Sequence, residues 1–387
     1  MFGRALRPLF LLADDATFLN HGSFGACPKE VLAEQGRVRL TMENQPDIFF
    51  KKDVMPEAGD TALRRAAAKV AAFVNAPAEC VAFVENATAG VQAALRSIDL
   101  RAGDRILVTS HTYNAMRLMV EERCAQTGAV PLVVEIPTPT TAGDIIWRID
   151  QALATHVKVA VVDHITSPTA LVMPLERIIP KLRAHGALVV VDGAHAIGQI
   201  PIDLAALAPD WYVSNLHKWL FAPKGTAFFY ASKDVAAKTR PNVVSHFIAM
   251  GFPGSFDYTG TRDNSGWLAG PAALRFFKDL QPDAVRAHQR QLLAKVTDLV
   301  TGLGGKPVAP IEMSAAMRSF AMPQRRAAAR SDGDDLVQSL WEKHRIQVWS
   351  KVFAERLILR ISAQVYVDEE DLGRLQGALE RDGWPGR

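Results

Sequence analysis

Cysteine is scarce in this chain: there are three among 387 residues, Cys27, Cys80 and Cys124, and no two form a CxxC pair. That count excludes a disulfide scaffold and a zinc ribbon, and it fits a reducing, cytoplasmic compartment. Long apolar runs are also missing, since no stretch approaches the roughly 20 residues of a membrane span. The opening MFGRALRPLFLLADDATFLNHG is divided by Pro8, meets Asp14 and Asp15 at once and shows no small-residue cleavage site, so secretion is not expected. Charge of one sign is absent too. Lys and Arg total 44 against 41 for Asp and Glu, a formal +3 with no block of like charge, which implies no nucleic-acid or membrane partner. No internal repeat is present.

What remains is an ordinary globular composition, 49% hydrophobic and 22% charged, with ample apolar material for one large core and a smaller satellite. Between Val81 and Tyr230 short β-branched runs alternate with amphipathic stretches. VAFV (81–84), RILVTS (105–110), PLVVEIP, VKVAVVDHIT (157–166), ALVVVDGA (187–194) and GTAFFYA are separated by helical patterns such as YNAMRLMVEERCAQTG and LERIIPKLRAHG. Such alternation predicts an α/β fold with a mostly parallel sheet covered on both faces. Several runs end in polar clusters, ENAT, SHTYN, HITSPT and DGAH, at the strand edge where ligands bind in such sheets. Beyond GTRDNSG (260–266) the texture changes to long helical patterns, then the runs SFAMP, RIQVWS and RLILRIS and a final helix from Asp368, which predicts a second, smaller α+β unit. QRRAAARSDG (324–333) is expected to be a loop entering a helix at Asp332.

The segment VSNLHKWLFAPKGTAFFY carries the most chemistry. Lys218 sits among Trp211, Tyr212, Val213, Leu216, Trp219 and Phe221. Burial there would lower its pKa and leave a neutral amine able to attack an aldehyde; the alternative is a lysine snorkelling from a surface turn. Asp192 ends the apolar run ALVVV, where a carboxylate is costly unless it faces a cation. The protonated ring nitrogen of pyridoxal phosphate is such a cation, and it makes the ring an electron sink; helix capping or a metal is the competing role. The two residues are 218 − 192 = 26 apart, enough for a loop and one strand, so both can end at one sheet edge.

ENATAG (85–90) offers Thr88, Ala89 and Gly90 as a phosphate-binding helix start or a plain N-cap. Ser214 and His217 can add phosphate donors from the other side. Tyr113 can stack on a flat ring or pack in the core. His195 falls near a ring oxygen or the lysine nitrogen, or is a structural hydrogen-bonder. Arg360, the lone charge in RLILRIS, has a fork that matches a substrate carboxylate.

Taken in order, FLNHGSFGACP, ENATAG, DGAHAIG with SNLHKW, GTRD and LRISAQVY resemble the class V aminotransferase-fold enzymes, and in particular the isopenicillin N epimerase-like subgroup, from about Leu19 to Tyr366. The resemblance implies a pyridoxal-phosphate-dependent transferase of fold type I, with a segment 1–20 packed on the small domain, a large cofactor domain 21–258 and a small domain 259–387. It makes Lys218 the lysine that holds the cofactor and Asp192 the partner of its ring nitrogen, puts Tyr113 where many relatives stack a histidine, and assigns Thr88, Ala89, Ser214 and His217 to the phosphate. Gly260 and Thr261 match a phosphate contact donated by a neighbouring subunit, which implies a homodimer with shared sites. Arg360 matches the arginine that grips the substrate carboxylate, and Asn20, His21 and Gly22 match a loop that closes over the substrate.

Two positions depart from the pattern. Ser167 stands where many relatives carry an asparagine near the ring oxygen, and His195 where desulfurases usually have glutamine. No cysteine follows Cys124, which argues against persulfide transfer. The expected activity is chemistry at the α-carbon of a small amino-acid substrate, an epimerase or aminotransferase type of reaction, with β-elimination from a cysteine conjugate as the alternative. A nicotinamide-dependent oxidoreductase is the rival from another class, and the missing GxGxxG after the first strand argues against it.

Overall fold

The computed structural model describes residues 2–324 and 328–384; residues 325–327 of the expected loop and the last three residues of the chain lie outside that range. In chain order the strands are β1 (Thr17–Phe18), β2 (Val81–Val84), β3 (Arg105–Thr109), β4 (Val130–Val134), β5 (Val159–Asp163), β6 (Leu188–Asp192), β7 (Trp211–Asn215), β8 (Ala227–Ala231), β9 (Lys306–Pro307), β10 (Met317–Ala321), β11 (Ile346–Gln347), β12 (Trp349–Phe353) and β13 (Arg356–Ser362). Seven of them form the large sheet in the order β2-β8-β7-β6-β5-β3-β4. Only β8 runs antiparallel to its neighbours, while β7, β6, β5, β3 and β4 pair in parallel.

The continuous apolar runs follow from this burial. Every residue of β5, β7 and β8 is buried, because helices cover both faces and no side needs a polar residue. Alternate side chains enter opposite cores: Ala160, Val162 and Val191 join one cluster, and Val159, Val161 and Val190 the other. The covering helices begin and end where their caps dictate. Asn86 caps Ala87–Arg96 by accepting the Ala89 amide, and Gly128, with φ of 75°, ends Asn114–Thr127.

The second sheet is antiparallel, in the order β12-β13-β10-β9. It is backed by the helices Pro282–Gly302, Asp332–His344 and Glu369–Arg381, the last opened by an Asp368 capping box. The helix expected at Asp332 starts there. Near the N-terminus β1 pairs in parallel with β11. The helices Ser265–Leu268 and Gly270–Asp279 pack on Lys29–Asn44 and Ala62–Phe73 beside the large sheet, and Trp267 stacks on Phe83 of β2 at 5.8 Å. In the described residues, no helix is long and apolar enough to cross a membrane.

Candidate active site

The carboxyl ends of β3, β5, β6 and β7 bring Thr109, Asp163, Asp192 and Asn215 to one edge of the sheet. Directly after β7 the chain makes a single helical turn, Leu216–Trp219, that carries Lys218. The turn is held from three sides. Asn215 Oδ1 accepts the Ala87 amide at 2.8 Å, tying it to the ENATAG turn, and His21 Nε2 lies 2.8 Å from the Lys218 carbonyl. Gly25 passes so close that a Cβ there would lie 2.3 Å from the Lys218 carbonyl oxygen, so the loop 20–27 can reach the turn only with glycine at that point.

Lys218 Nζ lies 3.2 Å from Nε2 of His195. Desolvation, opposed by Asp192 and reinforced by Arg360, pushes the amine down to about 8. About a tenth is then neutral at pH 7, far more than in an ordinary lysine, and the neutral form is the one that attacks an aldehyde. Burial also drives His195 well below its ordinary range, and Lys218 and Arg360 act in the same direction, so the imidazole is neutral. Asp192 is 3% exposed; Oδ1 accepts the Ala194 amide at 2.9 Å. Its pKa is raised by desolvation and held in check by that amide and by Lys218. At the same register on β5 stands Asp163, also 3% exposed. Burial and then Asp192 push Asp163 far above the carboxylate range, and its Oδ2 lacks a hydrogen-bond partner among the described residues.

Arg360, on β13, is 1% exposed. Nη1 donates to the Ser167 carbonyl at 2.5 Å and to its hydroxyl at 3.4 Å. Nη2 donates to Ser23 Oγ at 3.1 Å and Asn20 Oδ1 at 3.4 Å, and the guanidinium lies 4.7 Å over the Trp349 ring. Burial lowers it to about 9. None of the ion pairs among the described residues includes Arg360, so a full positive charge waits for an anion.

The structure therefore gathers Asp192, His195, Lys218, Ser167, Asn20 and Arg360 in one place. Tyr113 starts the helix Asn114–Thr127, 44% exposed and near enough to Arg360 to influence its charge. Other expected residues are already engaged. Ser214 is buried, donates to the Gly193 carbonyl and accepts the Ile197 amide at 3.3 Å. The Ala89 amide is capped by Asn86 at 2.9 Å, while Thr88 is exposed on the same turn. His217 uses Nδ1 on Thr226, and burial pushes it down to about 4. His21 has Nδ1 2.7 Å from the Tyr366 hydroxyl and, with burial, falls to about 3. Gly22 donates its amide to Ser362 Oγ at 3.2 Å.

The Thr261 hydroxyl lies 2.9 Å from that of Tyr258, and the next residue, Arg262, is paired with Glu85. Sequence reasoning missed Asp163, Ser23, Trp349, Asn215 and Gln199. For Asp163 the signal existed, a carboxylate closing the apolar run VAVV as Asp192 closes LVVV. For Trp349 and Gln199 none did, because their proximity depends on how the two sheets meet.

A buried carboxylate with a single amide partner, a lysine of lowered pKa one strand away and a buried, anion-free arginine fit pyridoxal phosphate and an amino acid. The comparisons with known proteins agree. Residues 53–375 match the Aminotransferase class-V model, and the chain belongs to that family. It is a pyridoxal 5'-phosphate enzyme of the lyase, isomerase or transferase type. Isopenicillin N epimerase of Amycolatopsis lactamdurans is 31% identical over 386 residues, covering 94% of each chain. A probable chloroplastic L-cysteine desulfhydrase of Arabidopsis thaliana is 30% identical, covering 96% of this chain and 84% of its own. Among solved structures, the cystine C–S lyase C-DES in complex with cysteine persulfide superimposes with a TM-score of 0.80 at 21% identity, over 95% of this chain and 97% of its own, which establishes the shared fold.

Proposed function

We propose that this enzyme is a C–S lyase that removes a thiol from a cysteine-type amino acid by β-elimination. The observation that carries the reading is that Lys218 offers, beside His195, an amine whose pKa burial pushes down to about 8, a base suited to removing a proton. Two of the nearby histidines have both ring nitrogens committed to the protein: His21 to Tyr366 and Lys218, and His111 to Thr169 at 2.7 Å and Ile136 at 3.0 Å. Elimination needs one base and a leaving group, whereas epimerisation needs proton access from both faces.

When bound, pyridoxal phosphate supplies an electron sink for the α-carbon. Asp192 would hold the proton of the ring nitrogen, and Thr88, Ala89, Ser214 and His217, with Gly260 and Thr261 of a second subunit, would form the phosphate cradle. For Ser214 and the Ala89 amide this requires giving up a present partner. Tyr113 would stack on the ring, and Ser167 would serve its oxygen. Arg360 grips the substrate carboxylate with Asn20 and Gly22 closing above it, and His21 braces that loop against the lysine turn. Burial of His195 and Arg360 beside the half-buried Lys218 limits water, which strengthens each charge contact. Lys218 Nζ takes the α-proton and returns a proton to the departing sulfur. In balance, R–S–CH2–CH(NH3+)COO− and water give R–SH, pyruvate and ammonium. Direct persulfide transfer finds no acceptor among the cysteines, which are all buried; burial pushes Cys27 up to about 12.

We further place the enzyme in the cytoplasm as a homodimer. The exposed Val243, Val244 and Met250 lie in the segment leading to Gly260 and Thr261, as an interface that lends those residues to a partner requires. A second reading, epimerisation, is favoured by the exposed Tyr113, whose phenol offers a second proton-carrying group near Arg360. Incubation of the holoenzyme with L-cysteine and S-conjugates decides between them. The lyase yields thiol, pyruvate and ammonium in equal amounts, while recovery of the D-epimer with its C–S bond intact would overturn the proposal.

A further inference from the structure

The imidazole of His195 lies between two groups of unequal character. Trp219 Nε1–H, which can only donate, points at Nδ1 from 3.4 Å. Nδ1 must therefore hold its lone pair, and a neutral ring then carries its proton on Nε2. That nitrogen lies 3.2 Å from Lys218 Nζ. An ammonium has no lone pair and would meet Nε2–H as donor against donor, so the contact requires a neutral amine accepting from His195. The opposite arrangement, an ammonium donating to Nε2, would put Nδ1–H against the indole N–H in a buried site where neither could turn to water.

We propose that Trp219 is a positioning residue that fixes His195 as the Nε2–H tautomer, so that His195 offers a hydrogen-bond donor to the nitrogen that carries the cofactor. The parts are held for this. Trp219 is 1% exposed, and its backbone carbonyl would lie 2.3 Å from a Cβ at Gly198, which only a glycine there permits. Gln199 Nε2 donates to the His195 carbonyl at 2.6 Å and its Oε1 accepts the Ala316 amide at 2.8 Å, anchoring the histidine to the loop before β10. The charged and titratable groups facing the amine are Asp192 from β6, Arg360 from β13, His195 itself and His217 from the same turn, with His21 bonded to the lysine carbonyl. Asp192 alone favours the ammonium, and the Nε2–H donor works against it.

The inference rests on Lys218 as the cofactor's anchor and not on which bond the enzyme breaks. Nitrogen-15 NMR of holoenzyme labelled in its histidine rings tests it, with the His195 signals assigned by their loss in His195→Gln. The expected spectrum has Nε2 protonated and Nδ1 bare from pH 6 to 9. In Trp219→Phe, which keeps an aromatic ring but lacks the N–H, the Nδ1–H tautomer should gain population. The pH midpoint of the cofactor's visible absorption should also move up by about half a unit or more, the worth of one hydrogen bond to the unprotonated form. A wild-type spectrum with Nδ1 protonated would overturn the proposal even if the variant fails to fold, and so would an unchanged tautomer in folded Trp219→Phe. A tautomer as expected with cofactor attached at another lysine would instead refute the anchor.

Discussion

Replacing Arg360 with lysine keeps the charge and removes the fork, and the structure sets what should follow. The guanidinium is 1% exposed and unpaired with any carboxylate among the described residues, held instead by the Ser167 carbonyl at 2.5 Å and Ser23 Oγ at 3.1 Å. Lysine can reach one oxygen of a substrate carboxylate but not both, and it forfeits the stacking over Trp349. Loss of one charged hydrogen bond is worth about 1.5–3 kcal/mol. At about 1.4 kcal/mol per decade, kcat/KM should fall about 10- to 150-fold through KM, with cofactor occupancy unchanged. Steady-state kinetics on both proteins, with occupancy read from absorbance, measure the two quantities together. If occupancy falls while the apparent substrate constant holds, Arg360 belongs to the cofactor site or the framework, and the substrate carboxylate is held elsewhere.

Asp192→Asn should retain cofactor but lose turnover by on the order of 100-fold or more, since an amide cannot keep the ring nitrogen protonated; near-normal turnover in loaded protein would reject that role. In cofactor-free protein, Lys218→Met should be stabilising at pH 7. The folded amine sits at about 8 against an ordinary 10.5, so between those values the unfolded chain holds more protons and wild-type stability rises with pH. The advantage of the variant, at most about 3 kcal/mol from 2.5 × 1.36, should therefore close by pH 10.5 in denaturant titrations; a pH-independent difference would refute it. Gly25→Ala should cost about 1–3 kcal/mol, because its Cβ would meet two carbonyl oxygens of the lysine turn, at 2.3 and 2.6 Å; an unchanged thermal midpoint would show that the loop 20–27 can retreat.

The large sheet was legible because its strands are buried on both faces, so the runs before Asp163 and Asp192 read as unbroken β-branched segments. Lys218 was legible for the same reason, a charge where the surrounding sequence is apolar. The phosphate cradle was less so. The Ser214 hydroxyl is already taken by Gly193 and Ile197 beyond the neighbouring strand, and the Ala89 amide by Asn86 three residues before it, a commitment that depends on backbone geometry and not on residue type. His21 looked like a substrate residue and is a buried strut between Tyr366 and Lys218, 345 and 197 residues away in the chain. Contacts at that separation leave no local pattern. The same holds for Trp219, whose indole acts through its direction toward His195.

The central claim, that Lys218 carries the cofactor, is tested most directly by borohydride reduction of the purified yellow protein followed by peptide mapping. The account predicts a single phosphopyridoxyl label on Lys218, in the peptide that follows Asn215. A label on Lys224, or no label in cofactor-replete protein, would contradict it.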